Sequence, residues 1–217
     1  TGRKLDVLLA ILYDWKDYGT ISKMVKSSAP AVRQIVPKLK NKGLITKQGQ
    51  LLKFNLIAWN HLFKFLNELR NFFSLNGSLL WKYNKEIIYV VDNEKLVQGT
   101  LTGFNKNNDY GMKVFTVTEC CHLPEKKLTK EEIFIHSLLQ VDEPRLLHLA
   151  LAFYVKHKMN QRKAKKLALY YDCYSRYEEL KKLLLLKEDY KKAEFFQTTF
   201  DRKDFQRIAR LYGVKNV

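Results

Sequence analysis

The chain has 217 residues, a formal net charge of +17 and a hydrophobic content of 46%. This hydrophobic content excludes a wholly disordered chain, and the length suffices for one large domain or two small ones. A strong positive charge is typical of proteins that bind nucleic acid, an anionic membrane surface or an acidic protein. Apolar runs stay far short of the ~20 residues that span a bilayer, and three cysteines are too few for a disulfide framework. We therefore expect a reduced, cytoplasmic protein without a membrane segment.

The positive charge lies at the two ends of the chain. Residues 1–55 carry 11 Lys or Arg against 3 Asp or Glu, and residues 122–217 carry 21 against 13. The region between them is nearly neutral. The N-terminal block is the denser one because it has almost no acids.

Residues 1–56 show the pattern of three helices followed by a β-hairpin. Apolar spacing predicts a first helix from Lys4 to Trp15 and a second, "ISKMVKS", that Thr20 caps. Ser28 is expected to cap a third helix that buries Val32, Val36 and Leu39 and ends at Gly43. The segment "LITKQGQLLKFNL" then predicts two strands that turn at Gln48-Gly49. This order is the winged-helix variant of the helix-turn-helix.

Several residues in this block also resemble bacterial and archaeal winged-helix regulators. The resemblance covers about a quarter of the chain and implies a DNA-binding domain at residues 1–56. It is carried by three short motifs: Ile21, Ser22 and Val25; then Ser28, Ala31, Val32 and Gln34; then Leu39, Gly43, Leu44 and Ile45.

A third helix that enters the major groove places its N-terminal residues at base edges. Ser28, Arg33 and Gln34 are the predicted base-reading residues, because Arg bonds guanine bidentately and Gln bonds adenine. Basic side chains around them are expected to contact phosphate, which adds affinity but no sequence information; they are Lys23, Lys26, Lys38, Lys40, Lys42, Lys47 and Lys53. Pro37 lies within this helix and is expected to kink it after the two turns that carry the readers. The alternative interpretation is a protein-interaction module whose winged helix and basic helices bind a protein partner rather than DNA.

The stretch from Leu56 to Phe73 is predicted to be a helix that is apolar nearly all round, and residues 57–76 are assigned as the linking or dimerisation helix. A helix that is apolar on most sides must be covered, either by the rest of the chain or by a second copy. The residues expected at a dimer or interdomain contact are Trp59, Leu62, Phe63, Leu66, Leu69 and Phe73. We expect a homodimer, since two half-sites one DNA turn apart need two recognition helices.

Residues 78–217 are predicted to form an α+β domain that binds a partner or senses a signal. Strands are expected in "KEIIYVVD", "VQGTLTGF" and "MKVFTVTE", and the polar "NKNNDYG" is expected to join the last two as a hairpin. A capping box at Thr129 and Glu132 begins a helix, and Pro144 begins another. The segment "KKLALYYDC" at 165–173 recurs as "QRIARLYGV" at 206–214, through duplication or coincidence. The predicted fold class is α+β and mostly α: an N-terminal winged helix, a linking helix, a small mixed or antiparallel β segment and a C-terminal helical bundle.

The C-terminal half resembles, more loosely, the effector region of type IV (abortive-infection) antitoxins. The matching residues are Glu131 to Leu139, Arg145, and Leu167 to Tyr171. Such proteins repress their own operon and neutralise a nucleotidyltransferase-like toxin, so the resemblance implies that partner and an autorepressor role.

Signs of an enzyme are lacking in the sequence. It contains no glycine-rich phosphate loop, no Gly-x-Ser-x-Gly and no His-Glu-x-x-His. Cys120, Cys121 and His122 favour buried thiols at a strand end over a zinc site, because adjacent cysteines cannot easily reach one ion. His136 and His148 are expected in the core. We predict no catalytic residues, no metal and no cofactor, and we leave the basic cluster at 156–166 as a solvated face or a binding surface.

Overall fold

The computed structural model describes residues 2–70, 77–92, 99–186 and 188–214. The chain divides into two units: Thr1–Ser74 with Lys82–Asn84, and Leu75–Trp81 with Lys85–Val217. Both are built from helices and small antiparallel sheets, so the prediction of a mostly helical α+β protein is confirmed. Within the described ranges, every helix is too short or too polar to cross a membrane.

The N-terminal unit begins with three short helices: α1 (Gly2–Ala10), α2 (Tyr18–Met24) and α3 (Ala29–Lys40). Val32, Val36 and Leu39 of α3 are buried as predicted. The prediction that Thr20 caps α2 is wrong. Asp17 is the cap, and its side chain accepts the backbone N–H of Thr20 at 2.6 Å.

The hairpin β1 (Ile45–Gln48) and β2 (Leu51–Phe54) follows α3, with Gly49 at the turn, as predicted. Lys16 forms a β-bridge to Leu52 of β2. The Lys16 N–H donates to the Leu52 carbonyl at 2.9 Å, and the Leu52 N–H donates to the Lys16 carbonyl at 2.8 Å. The Ile11 carbonyl likewise accepts the Phe54 N–H at 2.9 Å. These contacts end α1 at Ala10, so the predicted continuation of the helix to Trp15 is wrong.

The helix α4 (Asn60–Arg70) belongs to the N-terminal unit. It begins later than the predicted Leu56, because Asn55 starts a turn by accepting the Ala58 N–H through its side chain and the Trp59 N–H through its carbonyl. Phe63 packs 6.2 Å from the ring of Phe54, and Leu66 and Arg70 are buried.

An antiparallel four-stranded sheet has the order β3-β4-β6-β5 and is formed by β3 (Ser78–Tyr83), β4 (Glu86–Asp92), β5 (Thr100–Leu101) and β6 (Thr118–Leu123). It belongs to the C-terminal unit except for Lys82 and Tyr83 at the end of β3, which are counted with the N-terminal unit. The prediction of a hairpin through "NKNNDYG" is wrong: Gly103–Tyr110 form a 3-10 helix. Where β5 stops, the Asn105 side chain takes over the open edge of β6. Its amide accepts the Cys120 N–H at 2.9 Å and donates to the Thr118 carbonyl at 3.1 Å.

The rest of the C-terminal unit is largely helical. Thr129 and Glu132 form the predicted capping box of the first helix. The elements in chain order are α5 (Lys130–Gln140), α6 (Pro144–Lys156), α7 (Gln161–Tyr170), α8 (Tyr174–Leu185), the hairpin β7 (Tyr190–Ala193) and β8 (Thr198–Asp201), with the 3-10 turn Glu194–Phe196 between its strands, and α9 (Arg202–Leu211).

The two similar segments that are 41 residues apart end their helices, α7 and α9, in the same way. The Cys173 N–H bonds the Ala168 carbonyl at 3.1 Å, and the Val214 N–H bonds the Ala209 carbonyl at 2.9 Å. Asp172 and Gly213 take the left-handed conformation that this stop requires. Since α9 follows a β-hairpin and α7 follows a helix, the likeness covers one helix and its stop, not a helical hairpin.

Candidate nucleic-acid interface

One side of α3 faces solvent and carries most of the predicted contact residues of this helix. Arg33, Gln34, Lys38 and Lys40 are exposed on one side of the helix: Gln34 and Lys38 are four residues apart, and Arg33 and Lys40 are seven apart, which are about one and two helical turns. The opposite side is fixed in the core by Val32, Val36 and Leu39. Burial of those three side chains therefore determines which way the exposed side points.

Two local contacts position the start of this surface. The Ser28 side chain accepts the Ala31 N–H at 3.4 Å, so its oxygen is engaged as the helix cap. The Arg33 guanidinium carbon lies 5.9 Å from the centre of the Tyr18 ring, at the start of α2. A cation over an aromatic face is held weakly in place, which leaves the guanidinium accessible.

Most of the predicted phosphate contacts are exposed side chains. Lys23, Lys26, Lys42 and Lys47 are exposed, as are Lys38 and Lys40 of α3. Lys53 differs, because it is half-buried with its ammonium 6.0 Å from the Trp15 ring. Positions 18–67 contain nine Lys or Arg and not one Asp or Glu, so no acid in this stretch offsets the positive potential.

The structure adds two basic residues that sequence reasoning missed. Arg3 and Lys4, on the first turn of α1, line a groove of about 360 Å³ together with Gln34 and Ile35 of α3. Their position beside a predicted base reader makes them candidate phosphate contacts. The apolar spacing of α1 could not indicate this, since it identifies the buried side of that helix only.

Pro37 lies on the exposed side of α3 and not in its core. It has no N–H, so the carbonyl of Arg33 lacks its partner within the helix. Because this carbonyl is on the solvent side, water can satisfy it.

We expect Pro37→Ala to raise the free energy of unfolding by about 2 kcal/mol. An interior proline costs ~3 kcal/mol relative to alanine, and the freer unfolded chain of the variant offsets up to ~1 kcal/mol. Urea denaturation measures the change. Pro30→Ala is the control, because Pro30 lies in the first turn, where proline is tolerated. A loss of stability in Pro37→Ala would show that packing requires the proline.

The C-terminal unit contains a second polar cluster, centred on the carboxylate of Glu86. One oxygen accepts from the His122 ring at 2.7 Å and from the Lys126 ammonium and Tyr171 hydroxyl at 2.8 Å each. The other accepts from the Tyr170 hydroxyl at 2.8 Å. The Glu86 side chain is only 18% exposed and that of His122 is fully buried.

The pKa values of Glu86 and Tyr171 are displaced away from neutrality. Burial alone would raise the pKa of Glu86, but hydrogen bonds from His122, Lys126 and Tyr171 outweigh it and hold the pKa well below its usual range. Burial and the neighbouring Glu86 charge raise the pKa of Tyr171 far above its usual range. General acid–base catalysis needs groups that titrate near the working pH. The geometry therefore favours an ionic network that holds β4, β6 and α7 together.

The histidine of α5 and the cysteines of β6 also lie in this interior. His136 is buried, as predicted; its Nδ1 contacts the Thr102 hydroxyl at 2.7 Å, and its Nε2 has no hydrogen-bond partner among the described residues. Burial, with the nearby charges of His122 and Lys126, lowers the pKa of His136. Cys120 and Cys121 are buried thiols, and burial raises the pKa of Cys121 to about 11. Among the described residues, no three His, Cys, Asp or Glu side chains form a metal-binding group.

Comparisons with protein-family models, with curated proteins and with solved structures found no significant match. Several residues that carry the antitoxin resemblance have structural roles here. Glu132 completes the capping box, and Tyr170 and Tyr171 donate to Glu86. These residues would be needed for folding whatever the partner.

Proposed function

We propose that this protein is a non-enzymatic, sequence-specific DNA-binding transcriptional regulator, and that its N-terminal unit is a winged helix. The observation that carries the proposal is the solvent-facing side of α3, where Arg33, Gln34 and Lys38 stand together. It lies within a stretch of chain, positions 18–67, that has no acid.

The topology of the N-terminal unit supports this proposal. Three helices precede a hairpin, and Lys16 forms a β-bridge to Leu52 of that hairpin. In helix-turn-helix proteins the second helix of the motif lies in the major groove, with its N-terminal residues at base edges. In this arrangement α3 reads bases, while Lys47 on β1 contacts phosphate beside the groove.

The experiment that tests the proposal is selection of duplexes from a random-sequence pool by the full chain. A sequence-specific regulator enriches one motif, and its affinity for that motif falls linearly with salt on a log–log plot, by ~0.9 per phosphate contact. Retention of duplexes without an enriched motif would contradict sequence-specific reading. Failure to retain any duplex would favour the alternative, a winged helix that binds protein.

We further propose that the regulator is a homodimer that pairs through α4. Phe65 is 62% exposed and Leu69 is 42% exposed, one helical turn apart on the same side. Exposed Lys64 and Glu68 flank them, so two antiparallel copies would bring opposite charges together. Trp59 is also exposed, at 40%, whereas Leu62 and Phe63 are half-buried and Leu66 is buried. Phe73 lies outside the described residues.

We expect light scattering at micromolar concentration to give twice the monomer mass of 25.7 kDa. Phe65→Asp should return it to the monomer mass, because a charge would be buried at the pairing surface. Phe115→Asp is the matched control, since Phe115 is 82% exposed on the C-terminal unit and should leave the mass unchanged. A wild-type mass of 25.7 kDa would contradict the dimer and leave the DNA-binding proposal in place.

A further inference from the structure

The basic cluster at 156–166 contains two lysines that bond to other groups of the C-terminal unit and four exposed basic side chains. The Lys156 ammonium donates to the Gly111 carbonyl at 3.0 Å. The Lys163 ammonium pairs with Glu131 at 3.2 Å, and that carboxylate is only 6% exposed. These two lysines therefore support the fold of the C-terminal unit.

The other four members of the cluster extend into solvent. Lys158, Arg162, Lys165 and Lys166 are exposed, and the last three lie at helical spacing on the outer side of α7. Lys165 is held 5.6 Å from the Tyr174 ring. Positions 144–171 contain no Asp or Glu, so neighbours along the chain do not neutralise this surface.

We propose that the outer side of α7 is a second nucleic-acid contact, which binds the phosphate backbone without reading sequence. The composition of the surface favours this partner over an acidic protein. Protein interfaces have apolar or aromatic residues at their centre and are depleted in lysine there, whereas phosphate contacts are made by Lys and Arg. On α7 the exposed residues are Gln161, Arg162, Lys165 and Lys166, and none is apolar.

The inference goes beyond the proposed function, because it concerns a different unit of the chain and a contact that carries no sequence information. It predicts that the protein has two independent sources of salt-dependent affinity. Loss of one should leave the other measurable.

The test is duplex binding by the full chain over a range of salt concentrations, with Lys158, Arg162, Lys165 and Lys166 all changed to Gln. We expect weaker binding to a random duplex, by about tenfold or more, and a log–log salt slope reduced by about 2 to 4. The preference for the selected motif over random sequence should not change. The matched control changes four other exposed lysines of the C-terminal unit to Gln, which removes the same net charge: Lys182, Lys191, Lys192 and Lys203.

A third variant, Arg33→Ala with Lys38→Ala and Lys47→Ala, separates this inference from the proposed function. If α7 binds phosphate, adding the four α7 substitutions to this variant lowers its remaining affinity for random duplex and reduces its salt slope further. An unchanged slope in the α7 variant, or an equal effect of the control lysines, would overturn the inference and leave the N-terminal proposal intact. Binding of polyglutamate that the α7 substitutions abolish, with duplex affinity unchanged, would also overturn it and assign the surface to an acidic protein.

Discussion

Glu86→Gln is expected to lower the free energy of unfolding by about 2 to 4 kcal/mol, because three donors lose the charged acceptor that they share. The carboxylate accepts from His122, Lys126 and Tyr171 within 2.8 Å. The neutral amide removes the negative charge that stabilises the first two. Urea denaturation at neutral pH measures the loss. Glu125→Gln, an exposed change of the same type, should stay within about 0.5 kcal/mol of wild type.

The same cluster predicts how stability depends on pH. The pKa of Glu86 is lower in the folded state, so its contribution is present above the unfolded value of ~4.3 and is lost as the pH falls toward the folded value. The pKa of His136 is also lower in the folded state, so the unfolded chain takes up that proton first and stability begins to fall below about pH 6.5. Glu86→Gln should retain the upper step and weaken the lower one, to which Glu132 still contributes because its pKa is also lowered in the folded state. A variant with both steps intact would show that Glu86 is not the group that titrates.

Arg33→Ala is expected to weaken binding to the selected motif by ~1–3 kcal/mol, about 5- to 150-fold, and to change binding to random duplex far less. The guanidinium is exposed on α3 and supported by the Tyr18 ring at 5.9 Å. Arg33→Lys keeps the charge but removes the two N–H donors that bond guanine bidentately. It should therefore lose most of the discrimination while its salt dependence stays close to that of wild type. Equilibrium titration of both duplexes measures each quantity.

Lys47→Ala is the control for base reading. Lys47 is exposed on β1, and a phosphate contact there should weaken both duplexes equally and reduce the salt slope by ~0.9. If Arg33→Ala weakened both duplexes alike, the base-reading role of Arg33 would be wrong, and Arg33 would be a phosphate contact.

The elements that could be predicted from sequence are those determined by neighbours along the chain. The Ser28 cap, the burial of Val32 and Val36, the turn at Gly49 and the Thr129 capping box all depend on residues within a few positions of one another. Side-chain spacing and cap chemistry are encoded at that range. For this reason α3 and its buried side were predicted correctly.

Two of the errors occurred where distant contacts decide the structure. The first helix stops at Ala10 because Ile11 and Lys16 pair with Phe54 and Leu52, about forty residues later. The Glu86 cluster was missed for the same reason, since its Tyr171 partner lies 85 positions away in sequence. A single Glu beside a strand gives no local sign that four donors will converge on it.

The Asn105 side chain has a consequence for how this protein behaves at high concentration. An unpaired strand edge is a template on which another chain can add a strand, and it is a common start of aggregation. Thr100 pairs with His122 on β6, the Thr102 N–H bonds the Cys120 carbonyl, and Asn105 fills the remaining positions on that side. One amide side chain therefore substitutes for the missing length of β5. It protects this edge of the sheet from adding a foreign strand, although β5 itself has only two residues.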